Sequence, residues 1–284
     1  MRLRTGPIVT RIRSELPAIA QALGTVYREH IIEAPDTFAD FHVRVAHPAG
    51  LRRWLKPQVV FEFDGAPPFL PLPAEQAFAI LEWGLNWCIS ANCHHYLVIH
   101  AAVVERSGRA LLLPAPPGSG KSTLCAGLVN RDWRLLSDEL ALLDPLSGSV
   151  VPLARPVSLK NASIEVIRRF APGAVLSATV HDTLKGSVAH MKPPGEAVRR
   201  ALEPARPRWV VMPRYQAGAA AQLRPLSRGS AFMQLAESAF NYPVFGRQGF
   251  ELLASTVEAC DCYEFTYGEL ESAVGILAEL AAEK

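Results

Sequence analysis

The chain has 284 residues, 49% of them hydrophobic and 20% charged, and a formal net charge of +2. That composition suits one large domain, or one domain with an N-terminal extension, around a packed core, and it excludes wholesale disorder. Charge this close to balance, with both signs mixed along the chain, gives no electrostatic case for nucleic acid as a partner.

From the N-terminus, Arg residues and a Glu interrupt the stretch where a signal peptide needs an apolar run, so a cytoplasmic location is the expectation. Ile8–Ile12, Phe41–Val45 and Val59–Phe63 read as strands, and Leu16–Leu23 and Ala74–Trp87 as helices. In the second helix Trp83 and Trp87, four residues apart, read as core anchors. The most apolar stretch, Phe78–Val104, is broken by Glu82, Asn86, His94 and His95 before the ~20 apolar residues that a membrane span requires, so no membrane partner is expected. Cys88 and Cys93 precede His94 and His95 without matching a closed zinc ligand set, and all five cysteines read as reduced thiols. A soft boundary near Asn92–Tyr96 divides an N-terminal α/β extension, residues 1–94, from a catalytic domain, residues 95–284.

Tyr96–Val104 and Ala110–Pro114 read as two buried strands joined by a turn. The second leads into Pro114-Ala-Pro-Pro-Gly-Ser-Gly-Lys-Ser-Thr123, and a helix follows to about Asn130. A strand, a Gly-rich loop ending in Gly-Lys-Ser and a helix form the setting of a Walker A phosphate loop. Backbone N–H groups at the helix N-terminus face phosphate oxygens, and Gly118 and Gly120 let the backbone come close. Gly118, Ser119, Gly120, Lys121, Ser122 and Thr123 are the nucleotide-binding set: Lys121 reaches the terminal phosphates and Ser122 can ligate Mg²⁺ of a Mg·ATP complex. Ala115 stands where a first Gly is usual, and Pro116 and Pro117 lack N–H groups, so the anion donors begin at Gly118.

Trp133–Ser137 reads as a strand ending on Asp138 and Glu139, and Leu140–Asp144 as the next strand. Only 17 positions separate Lys121 from Asp138, so the strand directly after the phosphate-loop helix has to deliver its carboxylates to the terminal phosphate. Asp138 is then the base that takes a proton from an attacking hydroxyl, with Glu139, or Asp138 itself, holding Mg²⁺. The competing reading is a pair of turn carboxylates opening a hairpin.

His100-Ala-Ala, the strand–loop–helix and Arg134-Leu-Leu-Ser-Asp-Glu139 together resemble the catalytic domain of bacterial HPr kinase/phosphorylase, whose core is shared with phosphoenolpyruvate carboxykinase. The resemblance implies a P-loop kinase core with a mixed sheet, with Asp138 as catalytic base, Lys121 and Ser122 as phosphate and metal residues, and His100 as the active-site histidine. This chain departs from that pattern at Ala101 and Glu139, where the family has Gly and a second Asp. Pro225-Leu-Ser-Arg-Gly-Ser and Ala239-Phe-Asn241 resemble two further family segments one residue out of register, which brings Arg228 and Asn241 in as candidate contacts. Gly6-Pro, Trp83-Gly-Leu-Asn-Trp87, Asp182–His190 and Pro207-Arg-Trp are similar to the branch called HPr kinase-related kinase A. That branch implies a protein or peptide substrate and a PqqD-like peptide-binding protein as companion.

Beyond the loop, Ala171–Arg208 is rich in Pro, Gly and polar residues and reads as a long mobile segment. Within it, Lys185 and His190 are candidates for a lid over substrate or nucleotide, set against an ordinary exposed loop. Arg199, Arg200, Arg206, Arg208 and Arg214 form a loose basic cluster, read as a solvated face in preference to a docking patch. A strand over Arg208–Pro213 and helices over Ser230–Phe240, Phe250–Cys260 and Glu269–Ala282 complete the chain.

The leading expectation is a Mg²⁺- and ATP-dependent kinase of a hydroxyl, such as Ser, on a protein or peptide. A small-molecule kinase and a non-catalytic nucleotide-responsive binding protein are the alternatives. Self-association is left open.

Overall fold

A computed structural model describes residues 1–50 and 56–282. It is a mixed α/β fold built on two six-stranded sheets, with two three-stranded sheets beside them.

The N-terminal sheet runs in the order Ile32–Glu33, Arg2–Thr5, Ile8–Ser14, Phe41–Ala46, Gln58–Phe63, Leu72–Pro73. Alternation fixes its buried face: Phe41, Val43 and Val45 point inward while His42 and Arg44 point to solvent. Helices Pro17–Val26 and Ala77–Asn92 cover that face. The first has Pro at its start, where a missing N–H costs nothing. Phe61 packs against Gly84 of the second, so closely that a Cβ there would lie within 2.5 Å of the ring. The N-terminal residues therefore build a sheet of their own and do not extend the central one. Their core nonetheless incorporates Val98, Leu140, Leu142 and Leu153 from later in the chain.

The central sheet has the order Arg134–Ser137, Ala101–Arg106, Arg109–Pro114, Arg206–Tyr215, Asp261–Tyr267, Gln222–Pro225. It mixes parallel pairs, from Arg109–Pro114 through Arg206–Tyr215 to Asp261–Tyr267, with antiparallel pairs at both edges. Helices Lys121–Val129, Ala162–Phe170 and Leu270–Ala282 pack on one face; Arg228–Ser238 and Tyr242–Ala259 pack on the other. Both faces are covered, which is why its central strands are continuous apolar runs such as Ala110-Leu-Leu-Leu113.

Two sequence expectations are corrected here. Tyr96–Val104 is not one strand. It breaks at His100 into Leu97–Ile99 and Ala101–Arg106, which enter different sheets. Nor is Ala171–Arg208 a long structureless segment. It holds the antiparallel pair Val180–Thr183 and Gly186–Met191 and a short helix, Gly195–Arg199. The Gly and Pro residues there are punctuation: Gly186, at φ +78°, leads out of the turn, and Pro194 stands just before the first residue of the helix. No helix among the described residues is long and apolar enough to cross a membrane.

Candidate active site

Strand direction explains how a residue 17 positions after Lys121 returns to its neighbourhood. Arg134–Ser137 runs antiparallel to Ala101–Arg106, which runs antiparallel to Arg109–Pro114. Two reversals restore the direction, so Ser137 and Pro114 end at the same edge of the sheet. Ala101 pairs with Pro114, so His100, just before it, starts at that edge as well. Tyr215 and Tyr267 end two strands parallel to Arg109–Pro114, again on this side. Ligand sites of open α/β sheets lie beyond the carboxyl ends of parallel strands.

Asp138 and Glu139 are not the turn of a hairpin joining Arg134–Ser137 to Ala141–Leu143. Arg134–Ser137 belongs to the central sheet, while Ala141–Leu143 pairs with Leu97–Ile99 and Val150–Val151 in another. The chain crosses between the same two sheets at His100 and at Asp138–Glu139, and the crossings lie side by side.

In the loop, Gly118 and Gly120 adopt φ +88° and +87°. Gly120 precedes the helix Lys121–Val129, whose first-turn amides have no intrahelical acceptor. Tyr267 donates its hydroxyl to the Gly120 carbonyl (2.9 Å), and the Tyr215 amide donates to Ser119 O (2.9 Å). A Cβ on Gly120 would lie 2.2 Å from Tyr267 Oη. Gly120→Ala is therefore expected to lower Tm by roughly 3–6 °C, since the left-handed backbone alone costs about 1–2 kcal/mol in a non-glycine residue. Thermal melts of the two proteins check this.

The charged centre lies next to the loop. Lys121 is 6% exposed and Asp138 4%, and neither is satisfied: Lys121 Nζ and Asp138 Oδ1 have no hydrogen-bond partner, nor does Ser119 Oγ. Asp138 Oδ2 accepts from the Ser158 amide (2.9 Å) and Ser122 Oγ (3.2 Å). Burial, reinforced by the neighbouring Glu139 charge, pushes Asp138 up to about 6. Burial likewise pushes the Lys121 ammonium down. Burial works against the Glu139 charge too, but there a hydrogen bond with His100, with Lys160 and Lys121 close by, outweighs it and holds the carboxyl well below the ordinary range. Its Oε2 lies 3.1 Å from His100 Nε2 and its Oε1 3.4 Å from Lys160 Nζ. Adjacent carboxylates are thus driven apart, one held ionised and one poised.

Of the sequence candidates, the structure gathers Ser119, Gly120, Lys121, Ser122, Asp138, Glu139 and His100. Lys185 has its Nζ 5.0 Å from the Trp83 ring centroid and is pushed down by burial and by Lys160. Arg228 is exposed at the start of its helix. Asn241 is 2% exposed and spent on backbone: it accepts from the Val98 amide (2.9 Å) and donates to Tyr96 O (2.9 Å) and Cys93 O (3.3 Å). That makes it a tie between the strand Leu97–Ile99 and the helices after it. Asn241→Ala is expected to cost roughly 3 kcal/mol by stranding these buried groups, measurable as a lower denaturation midpoint.

Sequence reasoning passed over Tyr215, Tyr267, Ser158 and Lys160. Tyr215 ends a strand already recognised in the sequence; the other three lie on strands that were not. Of the basic cluster, Arg199, Arg200 and Arg208 pair with Glu29, with Glu196 and Glu203, and with Asp261. The five cysteines are buried free thiols, and among the described residues no three His, Cys, Asp or Glu side chains gather as metal ligands.

No family model and no curated protein matches the chain. Among solved structures it is similar to the Hpr(Ser) kinase/phosphatase from Coxiella burnetii, at 10% identity over 66% of this chain and 99% of that one, with a TM-score of 0.29. Similarity at that level says nothing about activity.

Proposed function

We propose that the chain is an ATP- and Mg²⁺-dependent kinase that phosphorylates a hydroxyl, with Ser on a protein or peptide as the leading acceptor. The observation that carries this reading is the pair of buried, unsatisfied, opposite charges on Lys121 and Asp138 at the mouth of a Gly-rich loop. A buried polar atom without a partner costs about 1–3 kcal/mol, more if charged, so a fold retains such groups where a ligand completes them. A triphosphate supplies acceptors for Lys121 and for the loop amides, and an alcohol supplies a donor for Asp138. The motif resemblance to HPr kinase/phosphorylase points the same way.

The residues fit Mg²⁺. Ser122 Oγ and Asp138 Oδ2 converge as hard oxygen ligands, whereas Glu139, engaged by His100 and Lys160, would have to exchange a partner to join them. Bound there, the ion would neutralise phosphate charge. Lys121 and the loop amides orient the terminal phosphoryl group, and Asp138 orients the alcohol and accepts its proton. A bond forms between the alcohol oxygen and the γ-phosphorus, the bond from that phosphorus to the bridging oxygen breaks, and ADP leaves. His100 holds Glu139 ionised and so maintains the field that keeps Asp138 basic.

Incubation with γ-labelled ATP and a lysate of the native host, followed by mass spectrometry, tests the reading. Label on a seryl peptide or protein is expected. Label on a small molecule would move the acceptor to metabolites, and ATP binding without any labelled acceptor would favour a nucleotide-responsive binding protein.

A further inference from the structure

A narrow cleft of about 20 Å³, partly open to solvent, lies beside Asp138 on the side away from the phosphate-loop helix. One wall comes from the N-terminal unit, through Trp83 and Asn86 of helix Ala77–Asn92; Asp138, Glu139, Arg155 and His190 are among the other lining residues. Three polar atoms of its lining residues are buried without a partner: Asp138 Oδ1, Trp83 Nε1 and His190 Nε2. His190 is 3% exposed and its ring packs edge-on against Phe78.

The Arg155 charge is already consumed. It donates to Glu82 Oε2 (2.7 Å) and Glu82 O (3.2 Å), to Asn86 Oδ1 (2.6 Å) and to Tyr27 Oη (3.2 Å), while the Tyr27 hydroxyl donates to Glu82 Oε1 (2.8 Å). This closed, neutral network ties Arg155 to the N-terminal wall and leaves no guanidinium to attract an anion. What remains is one carboxylate oxygen seeking a donor, one indole N–H that can only donate, and an imidazole nitrogen whose role depends on tautomer. With the Glu139 carboxylate also in the lining, a ligand satisfying this set carries no negative charge, and offers a hydroxyl to Asp138 and a second oxygen nearby to Trp83.

Resting on the kinase reading above, we infer that this cleft is the acceptor subsite, in which the N-terminal unit selects an uncharged alcohol bearing a neighbouring oxygen. Trp83 binds that oxygen, and the hydroxyl is presented to Asp138 Oδ1. A cleft that small takes the hydroxyl and leaves the rest of the acceptor, a seryl residue or a small polyol, at its open mouth. The neighbouring strand pair Val180–Thr183 and Gly186–Met191 is tied to the N-terminal unit: Gln76 Nε2 donates to Asp182 O (3.0 Å), and Lys185 lies over the Trp83 ring.

Two probes separate the sources of that chemistry: N-acetylserine methylamide for a peptide and glycerol for a free polyol. Each is titrated into ¹⁵N-labelled full-length protein saturated with Mg²⁺ and a non-hydrolysable ATP analogue. The indole N–H resonance of Trp83, identified by its loss in Trp83→Phe, is expected to shift in a saturable way with one of them, the responding probe naming the source. With ATP in place of the analogue, Trp83→Phe is expected to raise KM for that probe about tenfold, the effect of one lost hydrogen bond, with kcat changed much less. If the analogue binds and the Trp83 resonance is unmoved by both probes, the subsite is overturned and the kinase reading stands. If wild-type protein does not bind the analogue, both fall.

Discussion

Asp138→Asn is expected to lower phosphoryl transfer by about 10²–10⁴-fold, the usual contribution of a positioned base, with nucleotide affinity changed only a few-fold. Asn keeps the shape and can still accept from the Ser158 amide, but it cannot take a proton. Stability should move the other way. Without Mg²⁺, the native Asp138 carboxyl titrates at about 6 against an ordinary 3.8, so between those values the folded chain holds more protons than the unfolded one. Raising pH through that window therefore weakens the wild type, and the Asn variant escapes the penalty. Melts in EDTA should find the variant roughly 5 °C more stable at pH 7, with the gap closing below about pH 4. Full transferase activity in the variant would show that another group accepts the proton.

Lys121→Met should produce a similar opposition. The Lys121 ammonium is buried without a hydrogen bond, and Met fills nearly the same volume without a charge. Transfer is expected to fall by at least about 100-fold, because the terminal phosphoryl group loses its one fixed cation from the loop. The empty protein is expected to melt above wild type. Enzyme assay and thermal melt, run together, separate this result from simple misfolding, in which both quantities would fall.

The geometry of the loop at Gly118–Ser122 was legible because everything that sets it is local: two left-handed glycines, a lysine and a helix start within a few residues. The placement of Asp138 could be inferred from spacing, while its cause lies in two successive antiparallel pairings that no local pattern displays. His100 was noticed, but the break of the apolar run at that residue was not. Leu97–Ile99 and Ala101–Arg106 are equally apolar on either side, and only pairing separates them. The strand Asp261–Tyr267 was missed because Asp261 and Glu264 interrupt its apolar residues, and with it went Tyr267, which fixes the loop through Gly120. Strand Val157–Lys160, carrying Ser158 and Lys160, lay in a stretch to which the sequence reading gave no element. Trp83 and Trp87 looked alike at helical spacing. Trp87 does pack as an anchor, edge-on to Phe63 and Phe69, whereas Trp83 lines the cleft beside Asp138. Helical periodicity separates faces, but it does not say what lies opposite them.

The account depends most on a triphosphate completing Lys121 and the loop amides. Isothermal titration of the wild-type chain and of Lys121→Met with a non-hydrolysable ATP analogue, with Mg²⁺ and with EDTA, measures this directly. The expected result is one site per chain that needs Mg²⁺ for full affinity and weakens at least tenfold in the variant. No binding by the wild type at millimolar analogue, or equal affinity in both proteins, would contradict it.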